Sequence, residues 1–323
     1  MNAAGRLAAF GAGLAVAFTA AYVTAAAVVP DTAVTATQHV GAEPAADHSA
    51  PTEQALPVSP LSADPPGLSL AQDGYTLSAV RGPGAPNDRG RLSFTIAGPS
   101  GTPLLDYATV HDKQLHLIVV RSDGQHFAHV HPVLDRATGI WSTPWMWKAA
   151  GAYRVFADFQ PAQASSTKLT LTRTVDLAGE LAPSPPMTTR TVDEIAGYTV
   201  ELDGALTAGV SKQLTARIIR DGEPVTTLQP YLGAYGHLVA LREGDLAYLH
   251  VHPEGAEPVE GRTGGPAVSF AATAPTAGRY LLYLDFKVDD TVHTATFVVD
   301  AARGDTNQTS PESPGDAGHA GGH

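Results

Sequence analysis

The feature that most constrains the fold of this chain is an internal duplication. Two blocks share the pattern H-L-x-x-x-R, followed 13 residues after the first histidine by H-V-H-P, and they begin at His116 and His237. Self-similarity at a fixed spacing indicates two copies of one structural unit. The chain of 323 residues is therefore not expected to form a single domain.

The similarity extends well beyond these blocks. A Gly-Tyr-Thr turn occurs at Gly74 and Gly197, and a Gly-x-Tyr-x-x-x-x-Asp-Phe segment occurs at Gly151 and Gly278. Together with the histidine blocks, the matched positions are offset by 121 to 127 residues. Each copy is predicted to form one domain of about 105 residues. The predicted organisation is an N-terminal hydrophobic helix (1–30), a disordered stalk (31–66), a first β-sandwich (67–180), a proline-rich linker (181–190), a second β-sandwich (191–302) and a histidine-containing tail (303–323).

The predicted fold class is all-β. Segments of five to nine residues rich in Val, Thr, Tyr, Phe and Leu alternate with Gly, Pro and Asp turns, which is typical of short strands. Seven such segments per copy favour two tandem immunoglobulin-like or cupredoxin-like β-sandwiches after one N-terminal transmembrane or signal helix. In the first copy the predicted strands lie near 74–80, 91–97, 113–121, 126–134, 140–147, 152–159 and 167–176.

The N-terminus predicts a membrane or secretory segment. Arg6 precedes 23 uncharged residues, Leu7 to Val29, a length that can span a bilayer. A cleaved signal has a shorter apolar stretch, so we expect a single-pass anchor with the bulk of the chain outside the cytoplasmic membrane, and secretion after cleavage as the alternative. The tail and stalk histidines are expected to be solvated linker residues, with weak metal scavenging as the alternative: His39, His48, His319 and His323.

Composition narrows the classes of function. The formal net charge is −12 and no basic patch is visible, which argues against a nucleic-acid partner. Cysteine is absent and there are only 3 methionines, so soft thiolate or thioether metal sites are not expected. Imidazole and carboxylate ligands suit Cu(II), Zn(II) or Ni(II). No nucleophile motif and no phosphate-binding loop is present, so neither catalysis nor an organic cofactor is predicted.

The histidine blocks predict a metal site in each copy. Residues two apart on a strand share a face, and the two strands of a hairpin bring cross-strand neighbours to about 4.5–5.5 Å, so three imidazoles can converge on one cation. A carboxylate from the later Gly-x-Tyr strand can supply a fourth ligand. The candidate ligands are His116, His129, His131 and Asp158 in the first copy, and His237, His250, His252, Asp285 and His293 in the second.

Two other interpretations stay open. In a structural or adhesive cell-surface module the histidines would be core groups bonded to backbone, and Asp158 and Asp285 would pair with the recurring Arg121 and Arg242. In a cupin-like metalloenzyme, the ligands would be His250, His252 and Glu257, spaced between Gly244 and Gly264 as in the first cupin motif; the first copy lacks this spacing and no second cupin motif follows. His111 and His126 have no partner in the second copy, which favours surface positions.

The paired HLIVV and HVHP blocks, the Gly-x-Tyr-x-x-x-x-Asp-Phe strand and the single N-terminal hydrophobic helix resemble a group of bacterial, mainly actinobacterial, exported or membrane-anchored proteins. The likeness covers most of residues 70 to 300. It implies duplicated β-domains and an association with heavy-metal handling. The chain departs from the copper-carrier sandwich family, because that family's N-terminal histidine ligand has no match here.

Overall fold

A computed structural model describes residues 66–163, 167–186, 188–255, 258–259 and 261–304. These residues form nineteen β-strands and contain no helix, so the all-β prediction is confirmed for this part of the chain. None of them belongs to a helix with the length and apolar character needed to cross a bilayer. The predicted N-terminal helix, the stalk before residue 66 and the tail beyond residue 304 lie outside the described residues.

The first copy is a sandwich of two antiparallel sheets. The outer sheet has the order β1-β2-β3-β7-β6 and the inner sheet the order β5-β4-β8-β9. Tyr107, Trp141 and Trp147 lie in the core between them. The strands are β1 (Ala71–Gln72), β2 (Tyr75–Leu77), β3 (Gly90–Ala97), β4 (Leu115–Arg121), β5 (Ala128–Val130), β6 (Val133–Asp135), β7 (Ile140–Trp145), β8 (Gly151–Phe159) and β9 (Leu169–Leu177).

The second copy has a similar plan, but its two layers are joined. The strands are β10 (Val192–Ile195), β11 (Tyr198–Asp203), β12 (Leu206–Thr207), β13 (Ser211–Arg220), β14 (Glu223–Pro224), β15 (His237–Arg242), β16 (Tyr248–Pro253), β17 (Ala267–Thr273), β18 (Gly278–Val288) and β19 (Thr291–Ala302). The start of β16, Tyr248 and Leu249, pairs with β15, and the rest of the strand, from His250 to Pro253, pairs with β17. The two layers therefore join into one ten-stranded sheet around a core that contains Phe270, Phe286 and Phe297.

The segment predicted as one strand over 126–134 is two strands in the structure. Its first half, β5, pairs with β4 of the inner sheet, and its second half, β6, pairs with β7 of the outer sheet. Pro132 lies between them and has no backbone N–H to donate to a ladder. The strand therefore crosses from one sheet to the other at the end of the HVHP motif.

Strand β4 is buried on both faces, although a strand of an isolated sandwich would show one exposed face. Leu117 and Val119 point into the core of the first copy. Ile118 and Val120 point the other way, into a third apolar cluster that is shared between the copies. That cluster comprises Ile118, Val120 and Phe156 from the first copy and Val239, Leu241, Leu246, Leu281, Tyr283 and Val298 from the second.

The contact between the copies is approximately self-complementary. Phe127 of the first copy stacks on Tyr283 of the second, with ring centroids 4.0 Å apart. The residues aligned with these two, Tyr248 of the second copy and Phe156 of the first, also pack together, with ring centroids 5.9 Å apart. Such reciprocal contacts are typical of a twofold interface. All described residues belong to one compact unit. Burial of each large apolar side chain in this interface stabilises it by roughly 1.5–3 kcal/mol.

The first described residue also takes part in this interface. The carbonyl of Pro66 accepts a hydrogen bond of 2.8 Å from the backbone N–H of Tyr248 in β16. A Cβ added at the neighbouring Gly67 would lie 2.8 Å from the Tyr248 side chain and 3.1 Å from the Phe156 ring. The chain thus enters the first copy through a contact with the second.

Candidate metal centre

The histidines of the first copy project from its inner sheet toward the second copy. His116 is in β4 and shares a face with Ile118 and Val120, which contact the second copy. His129 of β5 is paired with Ile118 across the ladder, so it lies on the same face. The same register continued by two residues places His131 beside His116, as the hairpin prediction requires.

Three imidazoles converge on this face. His116 Nδ1 lies 3.0 Å from His129 Nε2. The His131 ring centroid is 5.0 Å from that of His116 and 4.9 Å from that of His129. One nitrogen from each of the three rings lies within 4.8 Å of the other two. The first-copy histidine set predicted from sequence is therefore brought together.

Two hydrogen bonds define which nitrogens carry protons. His116 Nε2 lies 3.1 Å from the carbonyl oxygen of Val110, and His129 Nδ1 lies 2.9 Å from Oδ2 of Asp285. Both oxygens accept, so these outer nitrogens donate. In the neutral rings the inner nitrogens then carry lone pairs that face each other across 3.0 Å. A proton or a cation between them removes that repulsion.

The same two hydrogen bonds are typical of metal ligands. A histidine that binds a metal usually donates its other ring N–H to a carboxylate or a backbone carbonyl, which fixes its tautomer and its orientation. The Val110 carbonyl does this for His116, and the Asp285 carboxylate does it for His129. The side chains of His129 and Asp285 are each only 4% exposed, so water competes little for this contact.

His131 supplies a third nitrogen. Its Nε2 atom is buried and has no hydrogen-bond partner among the described residues. A buried polar atom without a partner costs about 1–3 kcal/mol. A metal ion at the convergence of the three rings would give this atom a partner.

Burial keeps His116 and His131 neutral at pH 7. Desolvation, with the charge of His129 as the next cause, lowers the pKa of His116 to about 2. The same two causes lower the pKa of His131 to about 3. Unprotonated imidazole is the form that binds a metal ion.

The two aspartates have different partners. Asp158 accepts a hydrogen bond of 3.1 Å from Thr170 and forms an ion pair of 2.8 Å with Lys168. Asp285 accepts a hydrogen bond of 2.6 Å from Thr294 and contacts His129 of the other copy. Asp158 is therefore paired within its own copy, whereas Asp285 reaches the histidines of the first copy.

The arginine partners considered for the aspartates pair elsewhere. Arg121 forms an ion pair of 2.7 Å with Asp123, and Arg242 pairs with Asp245. Both arginines bind an aspartate of the turn that follows their own strand, so the expected pairing of Asp158 and Asp285 with Arg121 and Arg242 is wrong. The physical reason is that an aspartate two or three residues away lies within reach without any tertiary contact.

The second copy contributes one further histidine to this region. His237 donates through Nε2 to the carbonyl oxygens of Tyr231 and Leu232, at 2.9 and 3.0 Å. Its ring centroid lies 6.5 Å from that of His116 and 6.4 Å from that of His129. Desolvation, together with the charge of His129, lowers the pKa of His237 to about 4.

Two of the other second-copy candidates, His252 and His293, lie outside the group of three converging histidines. His252 lies in β16, paired with Ala271 of β17. The side chain of the third candidate, His250, lies outside the described residues. His293 packs against Tyr198 and Phe286, with ring centroids 4.9 and 5.4 Å away. Since Phe286 and Asp285 are adjacent in β18, they point to opposite faces of the sheet, and His293 lies on the face away from Asp285.

Sequence reasoning missed two residues of this region. His111 is half-buried, with its ring 5.4 Å from that of His237 and 6.2 Å from that of His116, so its expected surface position is wrong. With Lys168 and Asp158 it lines a cavity of about 40 Å³ beside the three histidines. Lys168 could have been found by comparing the two copies, because it is a charged residue at a position where the second copy has the apolar Val292.

The fold and the site together define a duplicated all-β protein with a histidine cluster between its copies. The chain belongs to the family described as a domain of unknown function (DUF8832), whose model matches residues 70–176 and 190–303. No curated protein matches it.

Several solved structures share part of the architecture at low similarity. The D0-D1 domain of Intimin is 11% identical over 68% of this chain and 93% of its own, with a TM-score of 0.21. A Corynebacterium diphtheriae protein described as membrane anchored is 11% identical over 72% and 59%, with a TM-score of 0.21. A conserved domain protein from Bacillus anthracis is 8% identical over 73% and 88%, with a TM-score of 0.20. TM-scores this low support no inference about function.

Proposed function

We propose that this chain binds one divalent transition-metal ion, Cu(II) or Zn(II), through His116, His129 and His131. The observation that carries the proposal is the 3.0 Å approach of two ring nitrogens whose outer N–H groups are both already donated to oxygen acceptors. In that arrangement the lone pairs of the two inner nitrogens repel each other unless a proton or a cation lies between them.

The distances suit a metal ion. A bond length of about 2.0–2.1 Å from each nitrogen to the ion places two nitrogens 3.0 Å apart at an angle of about 95°. A shift of a few tenths of an ångström opens this to a tetrahedral angle. Three histidines leave a fourth position for water or another ligand, which suits reversible storage, delivery or tolerance of the metal.

The proposed location is outside the cytoplasmic membrane, with a single-pass anchor or, after cleavage, in secreted form. Its support is the uncharged run Leu7 to Val29 behind Arg6, together with the resemblance to exported actinobacterial proteins that are associated with heavy-metal handling.

Calorimetric titration of the metal-free full chain with Zn(II) and Cu(II) tests the proposal. The comparison is a His129→Ala/His131→Ala variant, which keeps every tail histidine. We expect the natural chain to bind one more ion than the variant, with circular dichroism showing that both are folded. Equal binding by both proteins would exclude this site.

A second candidate is a structural cell-surface module. The contacts Asp285–His129–His116–Val110 form a continuous line across the interface, and a proton on His129 would complete it without a metal. In that case the natural chain gains no stability from Zn(II) or Cu(II). The cupin-like alternative depends on the His250 side chain and on Glu257, which lie outside the described residues.

A further inference from the structure

We infer that the second copy completes the metal centre, with Asp285 as a positioning residue for His129, so that metal binding and the packing of the two copies are a single linked equilibrium. The inference rests on the proposed function and adds to it a dependence on the interface.

The first step is the position of Asp285. It is in β18 of the second copy, is 3% exposed, and uses one carboxylate oxygen for His129 of the first copy and the other for Thr294 of its own. A buried carboxylate is stable only when it is paired or hydrogen-bonded. The aligned Asp158 has the ammonium of Lys168, but the second copy has Val292 at that place. Asp285 is thereby left to pair across the interface.

The second step is what this contact does to His129. The strand that carries His129, β5, is only three residues long, so its backbone gives limited support to the ring. The hydrogen bond to Asp285 directs Nδ1 toward the second copy and Nε2 toward His116. Rotation of the ring by half a turn about the Cβ–Cγ bond would place ring carbons where the two nitrogens now lie and remove the ligand. Loss of such a supporting contact typically weakens metal binding by about 10–100-fold.

The third step is that the turn before β5 and the strand β18 hold the copies together. Phe127, two residues before His129, stacks on Tyr283, two residues before Asp285. The Tyr283 hydroxyl donates to the Gly124 carbonyl at 2.7 Å. A Cβ added at Gly124 would lie 2.4 Å from the Leu281 side chain, so the backbone at Gly124 already packs against that side chain. Separation of the copies would therefore also separate His129 from Asp285.

Linkage makes this dependence reciprocal. If a closed interface raises the affinity for the metal by a given factor, the metal favours the closed interface by the same factor. The bound ion would then act as a clamp between two halves of one chain, and loosening of the interface would release it.

The test uses the full chain and five variants. Asp285→Asn keeps an acceptor for the His129 N–H but removes the charge, and Asp285→Leu removes both. Asp158→Asn is the matched control in the other copy. Tyr283→Ala loosens the interface without removing a ligand, with Tyr283→Phe as its control.

We expect the Zn(II) affinity to fall about 10-fold in Asp285→Asn and about 100-fold in Asp285→Leu. The electron paramagnetic resonance spectrum of bound Cu(II) should change in the Asp285 variants, which a purely structural role would not produce. Asp158→Asn should stay within about threefold of the natural chain and keep its spectrum. Tyr283→Ala should weaken binding severalfold, and Tyr283→Phe much less.

The two proposals fail in distinguishable ways. The metal site itself fails if the natural chain binds no more metal than His129→Ala/His131→Ala. The role of Asp285 fails if the natural chain binds metal and a folded Asp285→Leu variant binds it equally well with the same spectrum. The linkage to packing fails if Tyr283→Ala binds as tightly as the natural chain.

Discussion

In the first copy His129 pairs with the inner strand β4 and the chain crosses to the outer sheet only after the HxH pair, whereas in the second copy the crossing comes before the pair, so that His250 and His252 both pair with β17. The same motif therefore has two backbone settings. In the first, His129 is the middle residue of the three-residue strand β5 and His131 directly follows that strand. In the second, both histidines lie inside a six-residue strand bonded to β17. The motif alone does not determine a site; its backbone environment does.

A second difference concerns charge. Asp158 and Asp285 occupy the same register position, beside the first histidine of each copy. Lys168 neutralises the first, and Val292 leaves the second to find a partner in the other copy. The difference between Lys168 and Val292 thus adds to the difference in backbone setting, because it gives the two aligned aspartates different partners.

The largest expected effect is the acid sensitivity of the metal-free chain. The pKa values of His116, His131 and His237 are lowered to about 2, 3 and 4, below the unfolded value of 6.5. Between the two values the unfolded state binds more protons, so stability is complete above pH 6.5 and falls by up to about 1.4 kcal/mol per pH unit for each histidine as the pH drops. Urea denaturation from pH 7 to pH 4 in the presence of a chelator measures this slope.

Histidines of the two copies should affect different parts of this pH dependence of stability. His237→Leu should flatten it only above about pH 4, where His237 itself titrates. His116→Leu should flatten it over the whole range, because the pKa of His116 is lower. Stability that is constant between pH 7 and pH 5 would contradict the buried, neutral histidines.

The next effect is on the energetic coupling of the copies. All three tryptophans, Trp141, Trp145 and Trp147, are in the first copy. Tyr283→Ala, a change in the second copy, should lower the free energy of unfolding by about 3–5 kcal/mol because it opens a cavity in the shared cluster. Tryptophan fluorescence during denaturation should report that loss. If the fluorescence midpoint stays the same while circular dichroism shows earlier unfolding, the copies are energetically independent.

The first histidines of the two copies should differ in how much their removal lowers the affinity for Zn(II). His116→Ala should lower the affinity for Zn(II) by more than about 100-fold, since it removes one of three ligands. His237→Ala removes a ring of equal size at the aligned position, but outside the three-histidine set, and should change the affinity less than about threefold. Calorimetry of both variants measures the ratio. Equal losses would show that both copies supply ligands to one ion.

The smallest effect is expected from a variant that introduces into the second copy the lysine found at the aligned position of the first. Val292→Lys places an ammonium where it can pair with Asp285 and compete with His129. The affinity for Zn(II) should then fall about 10-fold, the lower end of the range for a disturbed supporting contact. Val292→Met, with similar length and no charge, is the control and should bind as the natural chain does. Identical affinities for the two variants would remove Val292 as the cause of the asymmetry.

Much of the fold was predictable because the position of each strand is determined by its own residues and the turns beside it. The strands predicted at 91–97, 113–121 and 152–159 lie within two residues of β3, β4 and β8, since each is an apolar run bounded by turn residues. The split at Pro132 was missed, although a residue without an N–H is a visible signal for the end of a ladder. The burial of both faces of β4 also had a signal, an apolar run without alternation.

The site was predictable only in part. Convergence of His116, His129 and His131 followed from hairpin geometry, because local pairing fixes it. The contact from Asp285 to His129 joins residues 156 positions apart in different copies. It depends on how two finished domains pack, and no spacing within either motif contains that information. His111 belongs to the same category, since its neighbour His237 is in the other copy.

The contact between Pro66 and Tyr248 has a mechanical consequence. The segment that precedes the folded part attaches where the two copies meet, through the backbone of β16 and the packing of Gly67 on Phe156. A pull applied along that segment would load the junction before it loads either domain. A tether attached there would transmit tension directly to the apolar cluster shared by the two copies, through Phe156 and Tyr248.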